Sequence, residues 1–407
     1  MINQDRLWND HMAMAEIGAT AAGGSCRIAL TDDDKAGRDL FVSWCEAAGL
    51  AVRVDTCGNI FARRAGSDAD APPVITGSHL DTQPLGGRFD GIYGVLAGLE
   101  VLRALDDAGI RTRHPLEVAV WTDEEGVRFG GGCMASGVFA GMYEEADFLA
   151  CTDTDGATVA DELKRIGYAG TVPCGDMEVR AFFEAHIEQG PILEAEGKTV
   201  GVVLAGQGKR LIEVSVTGEE GHAGTLPMEL RHDAFVGAAR MVVALNELAF
   251  RFDPVPVITT GHVRVKPNSR NTIPGGTLFS IDCRHPAAET LVTLETEMRR
   301  TMEEIAAEAG LGVDIDTVTS RDPVVMDPGC INAIRDGAER LGIPHQDIYS
   351  GAGHDAFSIL EMTPTGMIFV PCEKGISHNE AENAKPEDLA AGAAVLAEAM
   401  VAYGEKI

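Results

Sequence analysis

The chain has 407 residues and a formal net charge of −30 at pH 7, from 33 lysines and arginines against 63 aspartates and glutamates. A simple nucleic-acid clamp needs a basic face, so this charge balance excludes that class of protein. The hydrophobic content of 45% over this length predicts a folded chain of two or three domains and excludes a disordered one.

The cysteines and the N-terminus indicate the cellular compartment in which we expect the protein. The nine cysteines are odd in number and contain no Cys-x-x-Cys pair, which argues against a disulfide framework and against a thiolate zinc site. The first eight residues are polar and mixed in charge, and no apolar run approaches the roughly 18 residues of a membrane span. We therefore expect a soluble cytoplasmic protein.

The first predicted elements alternate between strand and helix. An apolar run at 73–79 predicts a strand that ends at His79, and a glycine-rich loop at 86–91 follows it. From this loop to Ala108, apolar residues recur mainly on one face of a helix. This order of strand, loop and helix is typical of a mostly parallel sheet covered by helices.

Two further predicted strands end in polar residues. The apolar run at 116–121 leads into the acidic pair Glu124 and Glu125, and the run at 179–185 ends at His186. Open α/β sheets bind their ligands at the carboxyl ends of the strands. We therefore expect these polar side chains to lie at one edge of the sheet.

The pattern changes after residue 208. The next elements have the order βαββαβ, which predicts a small ferredoxin-like insert with its helices on one face. In chain order they are a strand at 211–217, a helix at 228–249, strands at 257–265 and 276–283, a helix at 288–309 and a strand at 313–319.

The remaining segment belongs to the first sheet, because it returns to helix and strand patterns and ends in a helix after Pro386. The predicted fold class is α/β. We predict a discontinuous main domain at 1–208 and 326–407, with an inserted domain at 209–325.

Nitrogen and oxygen donors recur at the predicted strand ends and loops. A single histidine is usually an ordinary core or surface residue, and adjacent glutamates can be plain solvated charge. Together, however, these donors suffice for two divalent transition ions with one bridging carboxylate. They are His79, Asp81, Asp90, Glu124, Glu125, His186 and His378.

Short motifs that run in order along almost the whole chain carry a specific resemblance. The motifs begin with 77–84, 86–91, 122–126 and 186–191, and continue with 221–224, 271–275, 282–286, 351–355 and 377–380. In these motifs the chain resembles the N-carbamoyl-amino-acid amidohydrolase branch of the aminoacylase-like di-metal peptidase superfamily. L-carbamoylases and β-ureidopropionases are nearest, and allantoate amidohydrolases are slightly further away.

The resemblance implies two divalent metal ions per subunit, Zn, Mn, Co or Ni, in the mostly parallel main domain. One ion takes His79, the bridging Asp90 and His186, and the other takes Asp90, Glu125 and His378. These donors suit several metals, so the sequence does not choose among them.

The resemblance also implies roles for two further carboxylates. Glu124 would be the general acid/base, which takes a proton from the attacking water and returns it to the leaving nitrogen. The Asp81 carboxylate would accept the second N–H of the His79 ring and fix its tautomer. The alternative for Asp81 is a simple turn residue at a strand end.

Five residues are implied to contact substrate. His222 would donate to the developing oxyanion in the active site of a neighbouring subunit, which makes the insert a lid and a dimerisation domain. Gln189 and Asn271 would bind polar substrate groups, and Gly353 would let the backbone approach the substrate. Arg284 would hold the substrate carboxylate, with an internal salt bridge as its alternative.

The predicted reaction is therefore metal-dependent hydrolysis of the carbamoyl group of N-carbamoyl-L-amino acids or N-carbamoyl-β-alanine, giving free amino acid, CO2 and NH3. The expected partners are a small ureido acid and a second copy of the chain, with no nucleic acid and no membrane. An allantoate amidohydrolase or related ureide hydrolase is one alternative, and an inactive binding or scaffold relative is a remote one.

Overall fold

The computed structural model describes all 407 residues. The chain forms two compact units, Met1–Leu204 with Met326–Ile407, and Ala205–Val325. None of its helices combines the length and apolarity that crossing a bilayer requires.

The structure contains sixteen strands and twelve α-helices. The strands are β1 (Ala51–Val54), β2 (Ile60–Arg64), β3 (Val74–His79), β4 (Leu116–Trp121), β5 (Ala181–Ile187), β6 (Val200–Gly206), β7 (Gly208–Thr217), β8 (Gly221–His222), β9 (Val257–Thr259), β10 (Val263–Lys266), β11 (Thr272–Ile273), β12 (Gly276–His285), β13 (Gly312–Arg321), β14 (Val324–Val325), β15 (His345–Ser350) and β16 (Thr365–Val370). The helices are α1 (Gln4–Ala15), α2 (Asp32–Ala47), α3 (Ile92–Asp107), α4 (Met134–Phe139), α5 (Glu145–Ala150), α6 (Val159–Ile166), α7 (Ile192–Ala195), α8 (Ala234–Ala249), α9 (Ala288–Glu308), α10 (Pro328–Leu341), α11 (Asp355–Ile359) and α12 (Pro386–Gly404).

The first unit is built on a sheet with the strand order β1-β2-β4-β3-β5-β16-β6. The four inner strands β4, β3, β5 and β16 are parallel to one another, and the flanking pairings are antiparallel. Every residue of these four strands is buried, as the continuous apolar runs predict for parallel strands covered on both faces. The predicted mixed α/β fold with a mostly parallel sheet is confirmed.

The outer strands β1, β2 and β6 were not among the predicted elements. β1 and β2 are four and five residues long, and arginines interrupt their apolar pattern. Such short strands gain their stability from pairing with an existing sheet edge, which a local sequence pattern does not reveal.

The second unit has an antiparallel sheet in the order β10-β12-β7-β13, with β9 also paired to β12. Burial alternates along β7 and β12, and their buried side chains pack with α8 and α9 in one hydrophobic core. The longer elements of this unit follow one another in the predicted order, whereas the two-residue strands β8, β11 and β14 were not predicted.

Two elements of the second unit differ from the prediction. The helix expected at 228–249 begins at Ala234, because the Asp233 side chain accepts hydrogen bonds from two backbone N–H groups of its first turn. The strand expected at 257–265 is two strands, β9 and β10. Four residue steps separate Thr259 from Val263, whereas three separate their partners in β12, so one extra residue interrupts the ladder.

Candidate metal centre and active site

The candidate site lies at the carboxyl ends of three adjacent parallel strands. His79 is the last residue of β3, and His186 is the penultimate residue of β5. Glu124 and Glu125 follow β4, which pairs with β3 on the side away from β5. The sequence prediction that these side chains share one edge of the sheet is therefore met by the topology.

Asp90 reaches the same place from the turn before α3. Its neighbour Gly91 has a φ of 72°, and a Cβ at that position would lie 2.3 Å from the ring of His79. Only glycine therefore allows this turn to pass so close to the histidine.

Two sets of possible ligand atoms share Asp90. The first set is His79, Asp90 and His186, and the second is Asp90, Glu125 and His378; within each set all the ligand atoms lie within 4.8 Å of one another. The Asp90 carboxylate contacts both sides, with Oδ1 at 3.1 Å from His186 Nε2 and Oδ2 at 3.2 Å from His378 Nε2. This is the donor arrangement that two ions with one bridging carboxylate require.

The two buried histidines present the same nitrogen to the site. Nδ1 of His79 donates to the backbone carbonyl of Asp81 at 2.9 Å, and Nδ1 of His186 donates to the carbonyl of Ile187 at 2.9 Å. A carbonyl oxygen only accepts, so each Nδ1 carries a proton and the neutral ring has its lone pair on Nε2. In the neutral form of each ring, Nε2 is therefore the nitrogen that can bind a metal ion.

A third set of possible ligand atoms, Glu184, His186 and His354, also lies within 4.8 Å. The oxygens of Glu184 accept hydrogen bonds from the Ser78 hydroxyl at 2.7 Å and from the Ala356 N–H at 2.9 Å. These hydrogen bonds link Glu184, two residues before His186 in β5, to β3 and to the first turn of α11.

The contacts of Asp90 with His186 and His378 shift the pKa values of all three groups. Burial opposes the charged form of Asp90, but hydrogen bonds from His186 and His378 outweigh it and hold the pKa of this carboxyl well below its usual range. Burial likewise disfavours the charged His186 ring, yet contact with Asp90 raises its pKa to about 9. Contact with Asp90 raises the pKa of the half-exposed His378 to about 8. A cation bound between these imidazole nitrogens and the Asp90 oxygens would favour the same charged form of the carboxylate.

For the neighbouring carboxylates, burial outweighs the contacts with histidine and the hydrogen bonds that they accept. Burial, with Asp355 and Glu125 nearby, raises the pKa of Glu124 well above its usual value, and burial raises the pKa of Glu125. Crowded buried carboxylates disfavour their own ionisation, and a divalent cation relieves that cost. The donor chemistry and the electrostatics of the site therefore fit divalent metal ions.

The Asp81 carboxylate does not take the role expected for it. Its Oδ1 lies 3.8 Å from His79 Nδ1, whereas the backbone carbonyl of Asp81 accepts that N–H. The carboxylate instead accepts the backbone N–H groups of Glu124 at 3.3 Å and Glu125 at 3.2 Å. The prediction is corrected: Asp81 orients the histidine through its main chain and the two glutamates through its side chain.

Two residues that the sequence reasoning missed hold Asp90 in place. The buried Glu382 carboxylate accepts the N–H groups of Phe89 at 2.8 Å and Asp90 at 3.1 Å. The Ser377 hydroxyl lies 3.1 Å from Asp90 Oδ2 and 3.0 Å from Glu382 Oε2. A Cβ on Gly87 would lie 2.0 Å from the Glu382 carboxyl, so the glycine-rich loop makes room for this support.

Gln189 also contacts the centre. Its Nε2 donates to Asp90 Oδ2 at 2.9 Å and lies 3.1 Å from the Ser377 hydroxyl. Its Oε1 is buried without a hydrogen-bond partner. A buried unpaired acceptor is costly, so this oxygen is available to a donor group of a ligand.

The second unit brings His222 and Asn271 together. β8 pairs with β11 so that His222 faces Thr272, and the Asn271 carbonyl accepts the N–H of Ala223 at 3.0 Å. The Gly224 N–H donates to His222 Nδ1 at 3.0 Å. The neutral ring must then carry its proton on Nε2, which makes the exposed edge of His222 a hydrogen-bond donor.

The last two predicted substrate residues are Arg284 and Gly353. Arg284 donates to the Asp282 carboxylate from Nε at 2.9 Å and from Nη2 at 3.3 Å, and Lys209 contacts the same carboxylate at 2.9 Å. A Cβ on Gly353 would meet nothing within 4 Å, so no neighbouring group of the chain itself requires glycine there.

Known proteins resemble this chain over its whole length. Residues 75–402 match the model of peptidase family M20/M25/M40. An N-carbamoyl-L-amino-acid amidohydrolase of Rhizobium meliloti is 46% identical, over 99% of this chain and 97% of its own. The allantoate amidohydrolase of Escherichia coli K12 is 35% identical, over 94% of each chain. The crystal structure of an amidase of the hydantoinase/carbamoylase family from Burkholderia multivorans has a TM-score of 0.96 at 54% identity, over 99% of this chain and 98% of its own. These matches confirm the resemblance found in the motifs.

Proposed function

We propose a function for this chain, which belongs to peptidase family M20/M25/M40. The chain is a hydrolase that removes the carbamoyl group of N-carbamoyl-L-amino acids or N-carbamoyl-β-alanine. The observation that carries the proposal is the pair of ligand sets joined through Asp90, with Glu124 beside them. The name of the Rhizobium meliloti relative supports the substrate class.

The proposed cofactors are two divalent metal ions, drawn from Zn, Mn, Co and Ni. His79, Asp90 and His186 would hold one, and Asp90, Glu125 and His378 the other. When bound, such ions polarise a carbonyl oxygen and lower the pKa of water. Asp81, Glu382 and Ser377 keep the ligands in position through the hydrogen bonds described above.

Glu124 is the proposed general acid/base. Its Oε2 lies 3.4 Å from His79 Nε2, and its raised pKa favours holding a proton once one has been accepted. Glu124 takes a proton from the attacking water as oxygen bonds to the ureido carbon. It then delivers that proton to the leaving nitrogen as the C–N bond breaks. The products are the free amino acid and a carbamate, which decomposes to CO2 and NH3.

The proposed substrate contacts come from both units. The unpaired Gln189 Oε1 would accept an N–H group of the substrate. The Nε2–H of His222, whose direction of donation follows from the Gly224 contact, would stabilise the oxyanion, and Asn271 beside it would bind a polar group. Gly353 would offer its backbone, and Arg284 would bind the substrate carboxylate.

We also propose that the second unit is a ferredoxin-like lid through which two chains form a homodimer. Val236, Val243 and Phe250 lie at intervals of seven residues along one side of α8 and its end, with 53%, 58% and 73% of their surfaces exposed. An exposed apolar stripe of this kind marks an interaction surface. The nine free cysteines support the reducing cytoplasm as the proposed compartment.

The alternative function is hydrolysis of allantoate or a related ureide, which the Escherichia coli relative supports. The test is an ammonia-release assay on N-carbamoyl-L-amino acids, N-carbamoyl-β-alanine and allantoate with the metal-loaded protein. A kcat/KM for allantoate well above that for both carbamoyl compounds would overturn the proposal. Absence of bound metal in the dialysed, folded protein would favour the scaffold alternative.

Asp90→Ala is expected to remove both ions at once, because the Asp90 carboxylate belongs to both ligand sets. Glu125→Ala is the matched variant and should cost only the ion of the second set. Elemental analysis after dialysis measures both. Loss of a single ion from Asp90→Ala would contradict the shared-ligand assignment.

Arg284→Lys is expected to raise KM for N-carbamoyl amino acids about tenfold, because lysine keeps the charge but loses the bidentate contact. Such a charge-assisted contact is worth roughly 1.5 to 3 kcal/mol. The corresponding amides, which lack the carboxylate, should be poor substrates and change little. Arg240→Lys, in an exposed pair with Glu308, is the control. Equal losses on acids and amides would show that the Arg284 pair with Asp282 is only structural.

A further inference from the structure

Cys133 holds Glu124 at two points. Its Sγ lies 3.0 Å from Glu124 Oε1, and its backbone N–H donates to the Glu124 carbonyl oxygen at 2.8 Å. A single residue outside the ligand sets therefore contacts both the main chain and the side chain of the proposed acid/base.

The backbone around Cys133 is specialised for this contact. Cys133 precedes α4 with φ 59° and ψ 23°, in the left-handed region that residues with a Cβ seldom adopt. A Cβ on Gly132 would lie 2.5 Å from the Glu124 carbonyl oxygen, and a Cβ on Gly126 would lie 2.4 Å from the Gly132 nitrogen. Strained backbone that the surrounding structure enforces is a feature of functional sites.

We propose that Cys133 is a positioning residue, whose S–H donates to Oε1 of Glu124 and aims the other carboxylate oxygen at the metal centre. The inference rests on the proposed role of Glu124. With Oε1 held by the thiol, Oε2 is the oxygen that lies 3.4 Å from His79 Nε2. Burial and the neighbouring Glu124 carboxylate raise the pKa of the Cys133 thiol, so it remains a donor.

The kinetic test compares two replacements of Cys133. Cys133→Ala removes the donor and should lower kcat about tenfold, with KM and metal content unchanged within about twofold. Cys133→Ser keeps an O–H donor and should restore kcat to within about threefold of the parent. Cys151→Ala is the control, because that thiol contacts the Asp147 carbonyl and the Met134 sulfur and does not contact Glu124. Equal kcat values for the parent and Cys133→Ala would overturn the proposal, as would a loss confined to KM.

A spectroscopic test needs no turnover. The difference Raman spectrum of the parent and Cys133→Ser isolates the S–H stretching band of this thiol. The band should lie below the frequency of a thiol without an acceptor, and it should rise in Glu124→Gln, because an amide oxygen accepts more weakly than a carboxylate. A band at the free-thiol position would overturn the proposal. If the chain hydrolysed no ureido acid but this band were shifted, the proposed function would fail while the contact stood.

Discussion

Glu124→Gln is expected to lower kcat by about 10² to 10⁴, because an amide cannot take a proton from water or return one to the leaving nitrogen. Glutamine has nearly the same shape, so the hydrogen bond from the backbone N–H of residue 124 to Asp81 should persist. Glu124 belongs to neither ligand set, so metal content should match that of the parent. The loss should therefore fall on kcat at full metal loading.

The matched variant is Glu125→Gln, which makes the same chemical change one residue further along. Because Glu125 belongs to the second ligand set, this variant should lose bound metal as well as activity. Measuring kcat and metal content together separates the two roles. A Glu124→Gln enzyme with near-normal kcat, or one that has lost its metal, would remove Glu124 from the acid/base role.

Sequence patterns predicted the parts of the site that belong to regular elements. His79 and His186 could be placed because each ends an apolar strand, and parallel strands bring their carboxyl ends to one edge. The position of Asp90 could not be predicted from the pattern of strands alone. Its position between two ligand sets depends on a turn at Gly91 that leaves no room for a Cβ beside the ring of His79.

The contacts of the supporting residues could not be predicted, because no local pattern shows which distant group each residue meets. Glu382 accepts the Phe89 N–H across a separation of 293 positions, and although Phe89 lies in the motif at 86–91, the sequence does not show that Glu382 is its partner. Asp81 shows a different limit. Its proximity to His79 was correctly inferred, but the choice between carbonyl and carboxylate depends on backbone direction at the strand end.

The contact of Cys133 with Glu124 could not be predicted from the sequence for a similar reason. The glycines before Cys133 indicate a loop, but they do not reveal which backbone the loop packs against. In the structure they allow the loop to approach Glu124, and the left-handed conformation of Cys133 then turns its thiol toward the carboxylate. Sequence spacing alone does not encode such a direction.

His222→Ala is expected to lower kcat by about 10² to 10³, the usual cost of losing one oxyanion donor. Its ring is exposed in the second unit, and because Nδ1 accepts the Gly224 N–H, Nε2 of the neutral ring carries the proton and is a donor. The proposed acceptor is the oxyanion in the active site of the other subunit. That arrangement can be tested by mixing variants.

A heterodimer of one His222→Ala chain and one Glu124→Gln chain is expected to have about half the activity of the parent dimer. One of its sites combines the intact Glu124 of the first chain with the intact His222 of the second, and the other site lacks both. Co-expression with two different affinity tags, followed by purification through both, isolates this species. Its kcat is measured against those of the two inactive parents.

The decisive control is the heterodimer of a parent chain with a chain that carries both substitutions. If His222 acts across the dimer, the parent chain's site lacks its donor and the double variant's site lacks its acid/base, so this species should be nearly inactive. If His222 acts within its own chain, the outcomes reverse: the parent chain's site is complete and retains half the activity, and the first heterodimer is inactive. The two heterodimers contain the same substitutions in the same number and differ only in how the chains share them. A reversed result therefore cannot come from misfolding, and it would refute the trans assignment of His222.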